Sequence, residues 1–529
     1  MSRPEVSVVV PVFDPGEQLA PCVDSLLAQT LAPGTLELIF VDDGSTDGSG
    51  AVLDALAASH AHVRVEHIPN SGWPGKPRNV GLGLARGEYV FFADDDDRVA
   101  PDGLERLLAS ARQDDADVVV GKVVGHGKRV TRDAFASNLH GVRFRRDISL
   151  LGLLTPHKLF RRAFLEEHEL RYPEGRRRLE DHLFVVAALL RARRISRVAD
   201  HAVYHWIAHG DDVNASYGGF EPEAYYANLE EVLDLVEAEL EPGPFRDRVL
   251  AHWYRGKMLQ RVGGRVWLTR PEAYRRELVD AVRPVALRRY ADADAVHQHL
   301  DLHLRTRSRL LRAGSWEGLI ALAELDEQFR PRIELEWVRD APVGGTSLTL
   351  RLRCGLRGLD LVREGERILW RLPGAAAAAL GDPAMDVTRE LRTSATAEVW
   401  LSGEDGAEWS QPVRTRLRIR EIGDAGELRP VLKATVPIAP TAAAAGAPLP
   451  AGPYEVRVNA GALGFGATRI VRRDEDTLVL TVLAPGRIVE GVAEPAPEPG
   501  LRTRLGRRAP RAREAVRRLR AAAPAGRRA

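Results

Sequence analysis

Three apolar runs near the N-terminus do most to limit what this chain can fold into. Val6–Phe13, Leu36–Val41 and Tyr89–Ala93 are each too short for a buried helix and nearly free of polar interruption. Strands that read this way are covered on both faces, as in a parallel sheet flanked by helices. Val63–His67 and Asp117–Val120 read as further strands. Helical stretches fall between them at Gly16–Gln29, after Asp47, at Asn79–Ala85 and at Pro101–Gln113. The alternation predicts an α/β domain with a mainly parallel sheet. Ligands of such sheets bind beyond the carboxyl ends of the strands. Two of those ends carry acid clusters here, Asp42-Asp43 and Asp94–Asp97.

The texture then changes twice. Leu229, Val232, Leu233, Val236 and Leu240 recur at helical spacing, and further helices are expected over Phe245–Val262, Pro271–Val282, Ala293–Leu311 and Trp316–Gln328. From about 332 the period is two: Leu348, Leu350, Leu352 and Cys354, then Val413, Thr415, Leu417 and Ile419, then Tyr454, Val456 and Val458, then Leu478, Leu480 and Val482. With Gly and Pro breaks between them, these predict an antiparallel β-sandwich. The expected organisation is 1–219 α/β, 220–331 helical linker, 332–494 sandwich and 495–529 an Arg-rich tail. A length of 529 residues fits roughly three to four domains. A 44% hydrophobic content excludes wholesale disorder.

No run of about 18 apolar residues occurs, so no spanning helix is expected. The N-terminus lacks the pattern of a secretory signal, which favours the cytoplasm. Cys22 and Cys354 cannot build a disulfide framework and read as reduced core thiols. Residues 501–529 hold eleven Arg and one Glu, leaving 64 basic against 73 acidic residues in the remainder. Such a tail suits an anionic membrane surface, an anionic polymer or nucleic acid, or is simply a solvated tail.

Four clusters carry candidate chemistry. In Phe91–Asp97, Asp94 and Asp96 lie two apart at a strand end and can face one cation. Hard oxygen ligands suit Mg²⁺ or Mn²⁺, which commonly bridge carboxylates to a diphosphate. The plainer reading is an acidic loop before the helix at Pro101. In Asp42–Asp47 an Asp at the strand end can accept from the N3–H of a uracil, or the segment merely caps a helix. In Asn70–Asn79, Lys76 and Arg78 can reach a diphosphate from a loop fixed by Gly and Pro, or it is an ordinary loop before a helix. Glu180-Asp181 either complements a helix dipole or contains a general base.

As an ordered set these clusters resemble family 2 of the inverting glycosyltransferases, with the nucleotide-diphospho-sugar-binding GT-A fold. Val8–Phe13 looks like that family's first strand, Asp94-Asp95-Asp96 like its DxD motif, and Glu180-Asp181 with Phe184 like its ED element. Asn70-Ser71-Gly72, Pro74–Val80, Thr155-Pro156, Lys158–Arg161, Glu180–Phe184, Arg194–Ser196 and Ala215–Tyr217 look more closely like the wall teichoic acid β-N-acetylglucosaminyltransferases of Gram-positive bacteria. Those enzymes share the helical linker and a C-terminal β region that can mediate trimers.

The resemblance implies roles. Pro11, Phe13 and Asp43 would hold uracil, with Asn70 and Arg78 completing the nucleotide site and Lys76 and Asp95 beside it. Asp94 would contact the ribose or the metal region and Asp96 would bind Mn²⁺ or Mg²⁺. Asp181 would be the base, with Glu180 beside it. His209, Asp211 and Asp212 are candidates for a further metal ligand, with a solvated loop histidine as the plainer reading of His209. Phe13-Asp14 and Trp73 depart from the family pattern.

The implied activity is metal-dependent, inverting transfer of GlcNAc or a related hexose from a UDP-sugar to a hydroxyl of a glycopolymer such as a teichoic acid. A capsule or exopolysaccharide transferase and a non-catalytic envelope-assembly scaffold are the alternatives. The implied partners are the UDP-sugar, a polymeric glycan or polyol-phosphate acceptor, the inner membrane face through the tail, and further copies of the chain, as a trimer. A different role for the β region is sugar binding, with Trp370 or Trp400 stacked on a ring if either is exposed.

Overall fold

Every residue of Val6–Val12 (β1) and Leu36–Asp42 (β2) is buried, including Ser7, whose hydroxyl donates to Glu37 at 2.5 Å across the two strands. The computed structural model describes residues 3–209 and 220–493, apart from 33, 129, 131–132, 292, 341–346, 423–425, 474–475 and 484–486. The chain divides into two compact units, the first ending at Gly218 and the second covering Gly219–Glu494. The Arg-rich tail, Asp211, Asp212 and the Ala215–Tyr217 motif lie outside the described residues.

In the first unit β1 and β2 are joined by α1 (Leu19–Leu27). There follow α2 (Ser49–Ser59), β3 (Val63–His67), α3 (Gly75–Leu84), β4 (Tyr89–Phe92), β5 (Arg98–Val99), α4 (Gly103–Asp114), β6 (Val118–His126), β7 (Leu139–Val142), β8 (Lys158–Arg161), α5 (Arg162–Glu167), α6 (Glu180–Arg191) and β9 (Ile195–Ile207). The sheet order is β3-β2-β1-β4-β8-β6-β9-β5, with β7 beside β9. The first four strands are parallel. β8 runs antiparallel to both β4 and β6, so the sheet is mixed where the sequence suggested a mainly parallel one. A parallel neighbour needs a crossover, usually a helix. Among the described residues the chain from β6 to β8 forms no α-helix, and it returns in the opposite sense.

α3 starts at Gly75, four residues before the expected Asn79. Pro77 sits in the first turn, where a missing N–H costs nothing. Lys76 and Arg78 are therefore on a helix and not in a loop. Gly81 lets this helix lie against β1, because a Cβ there would fall 2.3 Å from Val9 Cγ1. Cys22 on α1 is buried beneath the acid cluster.

The second unit opens with helices including Pro222–Glu239, Pro244–Trp253, Glu272–Arg289 and Trp316–Gln328. The expected Ala293–Leu311 helix is two helices, Ala293–His297 and Leu302–Ala313. Two antiparallel sheets follow. One joins Arg332–Asp340, Leu348–Gly355, Glu427–Ile438, Leu361–Glu364, Arg367–Arg371 and Ala384–Asp386 in that order, and Arg414–Ile422 forms an edge on Glu427–Ile438. The other centres on Thr396–Gly403 and Gly452–Ala462. The alternation predicted at 348–354 holds, with Leu348, Leu350, Leu352 and Cys354 all buried.

Trp370 and Trp400 are 0% and 2% exposed, so both belong to the core and neither offers a face to a sugar. The helices and sheets share a seam. His303 lies 4.1 Å from Phe465, ring to ring, and Phe465 also packs on Phe329 and Trp370. Asp326 ties His303 and Arg307 together at 2.6 and 2.5 Å. Among the described residues no helix is long and apolar enough to cross a membrane.

Candidate active site

The carboxyl ends of β1, β2 and β4 converge on one edge of the first unit. Asp42 ends β2, and the Gly44 turn beyond it (φ +76°) brings Asn70 so close that a Cβ would meet the Asn70 nitrogen at 2.9 Å. Asp43, expected at the uracil, accepts from the Ser71 amide and hydroxyl, both at 2.8 Å. Asn70 accepts from the Gly72 amide at 2.7 Å. Phe13 is 49% exposed at the end of β1, and its amide donates to Asp95 at 3.1 Å. Asp14 binds the Thr46 and Asp47 amides, so the turns after β1 and β2 are fastened together. Pro11, Phe13, Asp43 and Asn70 therefore share one neighbourhood. Lys76 is half-buried in the first turn of α3, and among the described residues it makes no ion pair with the acid clusters.

Arg78 organises the centre. It is buried, and its Nη1 donates to Asp181 and its Nη2 to Asp94, each at 2.8 Å. A cation that joins two carboxylates from distant parts of the chain fixes their separation through short charge-assisted hydrogen bonds. α3 is held in turn by the loop before α6. Asn79 exchanges hydrogen bonds with the Tyr172 backbone at 2.8 Å in both directions, and a Cβ on Gly75 would meet the Pro173 carbonyl at 2.4 Å. Leu179 takes a left-handed conformation, φ +64°, directly before Glu180. For a residue with a bulky side chain that is strain, and such strain clusters at functional sites. It turns the chain so that α6 begins with Glu180 and Asp181 facing Arg78.

The second oxygen of Asp94 meets His157 Nε2 at 3.0 Å, and the imidazole stacks on Tyr204 with centroids 3.9 Å apart. Tyr204 donates to Asp97 at 2.8 Å, and Asp97 also accepts from the Ile207 amide at 2.8 Å. Asp94, Asp97 and His157 bring ligand-type atoms within 4.8 Å of one another. This differs from the expected pair Asp94 and Asp96. Asp96 stands apart: its backbone carbonyl meets His209 Nε2 at 2.6 Å, and its carboxylate lies 3.9 Å from the same nitrogen. His209 is thus no solvated loop residue. His157, Tyr204 and Asp97 were not singled out from the sequence. The only trace of His157 was its position between Pro156 and Lys158 in a stretch already matched to the family.

These contacts set the charges. Burial works to raise the Asp94 pKa, but His157 and Arg78 outweigh it and hold the carboxyl well below its ordinary value. Burial pushes Asp181 up to about 7, with Arg78 only partly opposing it and Glu180 and Asp94 adding repulsion. Burial and neighbouring acids raise Asp95, Asp96 and Asp97, the last to about 8. Lys158 is lowered to about 7 by burial, against the pull of Asp181. A carboxyl poised near neutrality can exchange protons at little cost.

A strand-end acid cluster linked by one arginine to an acid at a helix start fits transfer from a nucleotide sugar. The family model Glycosyl transferase family 2 matches residues 7–170. These residues form a family 2 glycosyl transferase domain. The model Glycosyl transferase TarS linker domain matches residues 222–323, over the helices of the second unit. The chain is 32% identical over 236 residues to the poly(ribitol-phosphate) beta-glucosyltransferase of Bacillus spizizenii, covering 44% of this chain and 37% of that protein. It is 30% identical over 251 residues to the poly(ribitol-phosphate) beta-N-acetylglucosaminyltransferase TarS of Staphylococcus aureus, covering 47% and 43%. The chain thus matches less than half the length of either relative. The crystal structure of S. aureus TarS superposes with a TM-score of 0.54 at 17% identity, over 93% of this chain and 86% of that one. The order of GT-A domain, helical linker and antiparallel sheets is the same.

Proposed function

We propose that the chain is an inverting, metal-dependent glycosyltransferase that moves a hexose from a UDP-sugar to a hydroxyl of a polyol-phosphate polymer. The observation that carries this reading is the Arg78 bridge, which places the candidate base Asp181 and the DxD residue Asp94 on one guanidinium. Pro11, Phe13, Asp43 and Asn70 form the uracil pocket in this reading. Asp43 retains acceptor capacity beyond its two bonds to Ser71.

The donor set fits a divalent cation at Asp96. Both oxygens of Asp94 and of Asp97 already accept hydrogen bonds, whereas among the described residues Asp96 accepts none from another side chain and faces His209. Burial first, and repulsion from neighbouring acids second, raises the pKa values of Asp95, Asp96 and Asp97, and a bound cation would favour their charged forms. Asp96 and His209, with Asp94 adjacent, would hold Mn²⁺ or Mg²⁺. When bound, the ion would neutralise charge on the leaving nucleoside diphosphate.

Asp181 takes the proton from the acceptor hydroxyl as the hydroxyl attacks C1 on the face opposite the diphosphate. One displacement inverts C1, so an α-linked donor yields a β-linked product. Arg78 keeps Asp181 from rising further in pKa and stops it turning towards solvent. The printed names of the relatives, a glucosyl- and an N-acetylglucosaminyltransferase of poly(ribitol-phosphate), favour UDP-glucose or UDP-GlcNAc as donor. The test is transfer from each UDP-sugar to poly(ribitol phosphate), with and without Mn²⁺. Metal-dependent transfer of either sugar is expected. Absence of both transfer and UDP-sugar binding overturns the reading, and transfer only to neutral polysaccharide moves it to a capsule or exopolysaccharide acceptor.

A further inference from the structure

The second unit carries a row of cations that neither its core nor the chemistry above uses. In the edge strand Arg414–Ile422 the inward positions Thr415, Leu417 and Ile419 pair with Ala434, Leu432 and Pro430. The outward positions are Arg414, Arg416, Arg418 and Arg420, all exposed. Among the described residues none of the four side chains makes an ion pair or hydrogen bond. Alternate residues of a strand stand about 6.7 Å apart, so the row is a comb of fixed charges some 20 Å long. The register extends it sideways. Arg416 lies opposite Lys433, which lies opposite Arg353, and Arg420 lies opposite Arg429. The described acids of this face are already committed: Glu334 and Glu336 to Arg353, Arg351 and Lys433, and Glu427 to Arg429 at 3.6 Å.

Charged side chains do protect edge strands from pairing with other chains. One or two suffice for that, and lysine is the usual choice. Four like charges in a row repel one another, and among the described residues no acid pairs with any of them. A bound polyanion would supply the counter-charge.

We infer that this comb binds the polyol-phosphate acceptor chain, each outward arginine engaging a phosphodiester. A flexible polymer with one phosphate every few backbone bonds can bring successive charges into step with a row of this spacing. Arginine's planar fork grips phosphate at two oxygens. The strands 414–422 and 427–438 present no aromatic side chain, and Trp337 on the same face has the Arg339 guanidinium 4.4 Å from its ring, so these strands offer no open row of stacking platforms of the kind single-stranded nucleic-acid binders use. The identity of the polymer rests on the function proposed above, whereas the anion site itself does not. Held on the comb, one polymer molecule would present many hydroxyls to the same active site at raised effective concentration.

The test compares the full chain with Arg414→Gln/Arg416→Gln/Arg418→Gln/Arg420→Gln, using a labelled long ribitol-phosphate oligomer and fluorescence anisotropy across a salt series. A polyanion contact contributes roughly 0.7 to the slope of log K against log salt for a flexible single chain. The variant should lose about 3 from that slope and at least ~10-fold in affinity at low salt. Its KM for long acceptor should rise while kcat and KM for a dimeric ribitol phosphate stay put, and its thermal midpoint should match the parent. The single variant Arg416→Gln should lose about a quarter of the slope effect.

Unchanged slope and affinity in the fourfold variant would overturn the inference even if sugar transfer proceeds. Comb-dependent binding without transfer of any sugar would sustain the anion site and sink the functional reading. Equal comb-dependent affinity for single-stranded DNA, or for phosphatidylglycerol vesicles, would overturn the assignment to a polyol-phosphate chain.

Discussion

Burial sets the behaviour of Asp181 first, and Arg78 partly opposes it. Asp181→Asn should lower kcat on the order of 10²-fold or more while UDP-sugar affinity, measured by calorimetry, stays within a few-fold. In the proposed role of base Asp181 works deprotonated, and burial holds it at about 7, so kcat/KM should climb with pH through neutrality and level off above it. Removing the cation in Arg78→Gln leaves Asp94 and Asp181 as uncompensated acids, which favours their protonated forms. The rising limb should therefore move to higher pH, and a pH–rate profile that stays in place would contradict the bridge. Asp96→Asn should abolish most Mn²⁺-stimulated turnover without changing the circular dichroism spectrum. Asp94, Arg78 and Asp181, which the structure joins through one guanidinium, had stood out in the sequence because short motifs carry them. His157 and Tyr204 had not, since they reach Asp94 from 63 and 110 positions away and no local pattern announces either. Asp97 was visible only as the last acid of a run, and its partners Tyr204 and Ile207 again come from β9.

At the scale of elements, α3 is the part whose placement matters most. Its glycines make opposite predictions. Gly75→Ala drives a Cβ into the Pro173 carbonyl at 2.4 Å, so the loop before α6 must shift. A loss of about 1–3 kcal/mol is expected from such overpacking, together with reduced kcat as Arg78 and Asp181 separate. Gly83→Ala meets nothing within 4 Å and should stabilise by about 0.4–1 kcal/mol through the unfolded chain alone. Urea denaturation of the two variants reads both effects. The fully buried strands were legible from composition, while the start of α3 was masked by Pro74 and Pro77, residues that mark loops as readily as first turns. The antiparallel sense of β8 was hidden for a different reason. A buried strand reads the same in either direction, and only its connection decides.

At the scale of the molecule, we expect the full chain to be a homo-oligomer, a trimer, and a chain ending near Arg330 to be a monomer that still acts on small acceptors. Light scattering of both decides it, and a monomeric full chain at micromolar concentration rules the assembly role out. Such a truncation also uncovers His303 and Phe329, which pack on Phe465 in the intact chain, so the shorter protein should unfold at lower temperature.

Each compact unit holds one cysteine, Cys22 in the first and Cys354 in the second, and both are buried. Burial raises the Cys22 pKa, with the neighbouring acids adding to it, and pushes Cys354 up to about 12. Neither sulfur is a thiolate at neutral pH, and neither meets solvent while its surroundings are closed. An alkylating reagent therefore has nothing to react with until a unit opens. The chain carries two internal clocks, one per unit, and the peptide that is alkylated names the half that opened first.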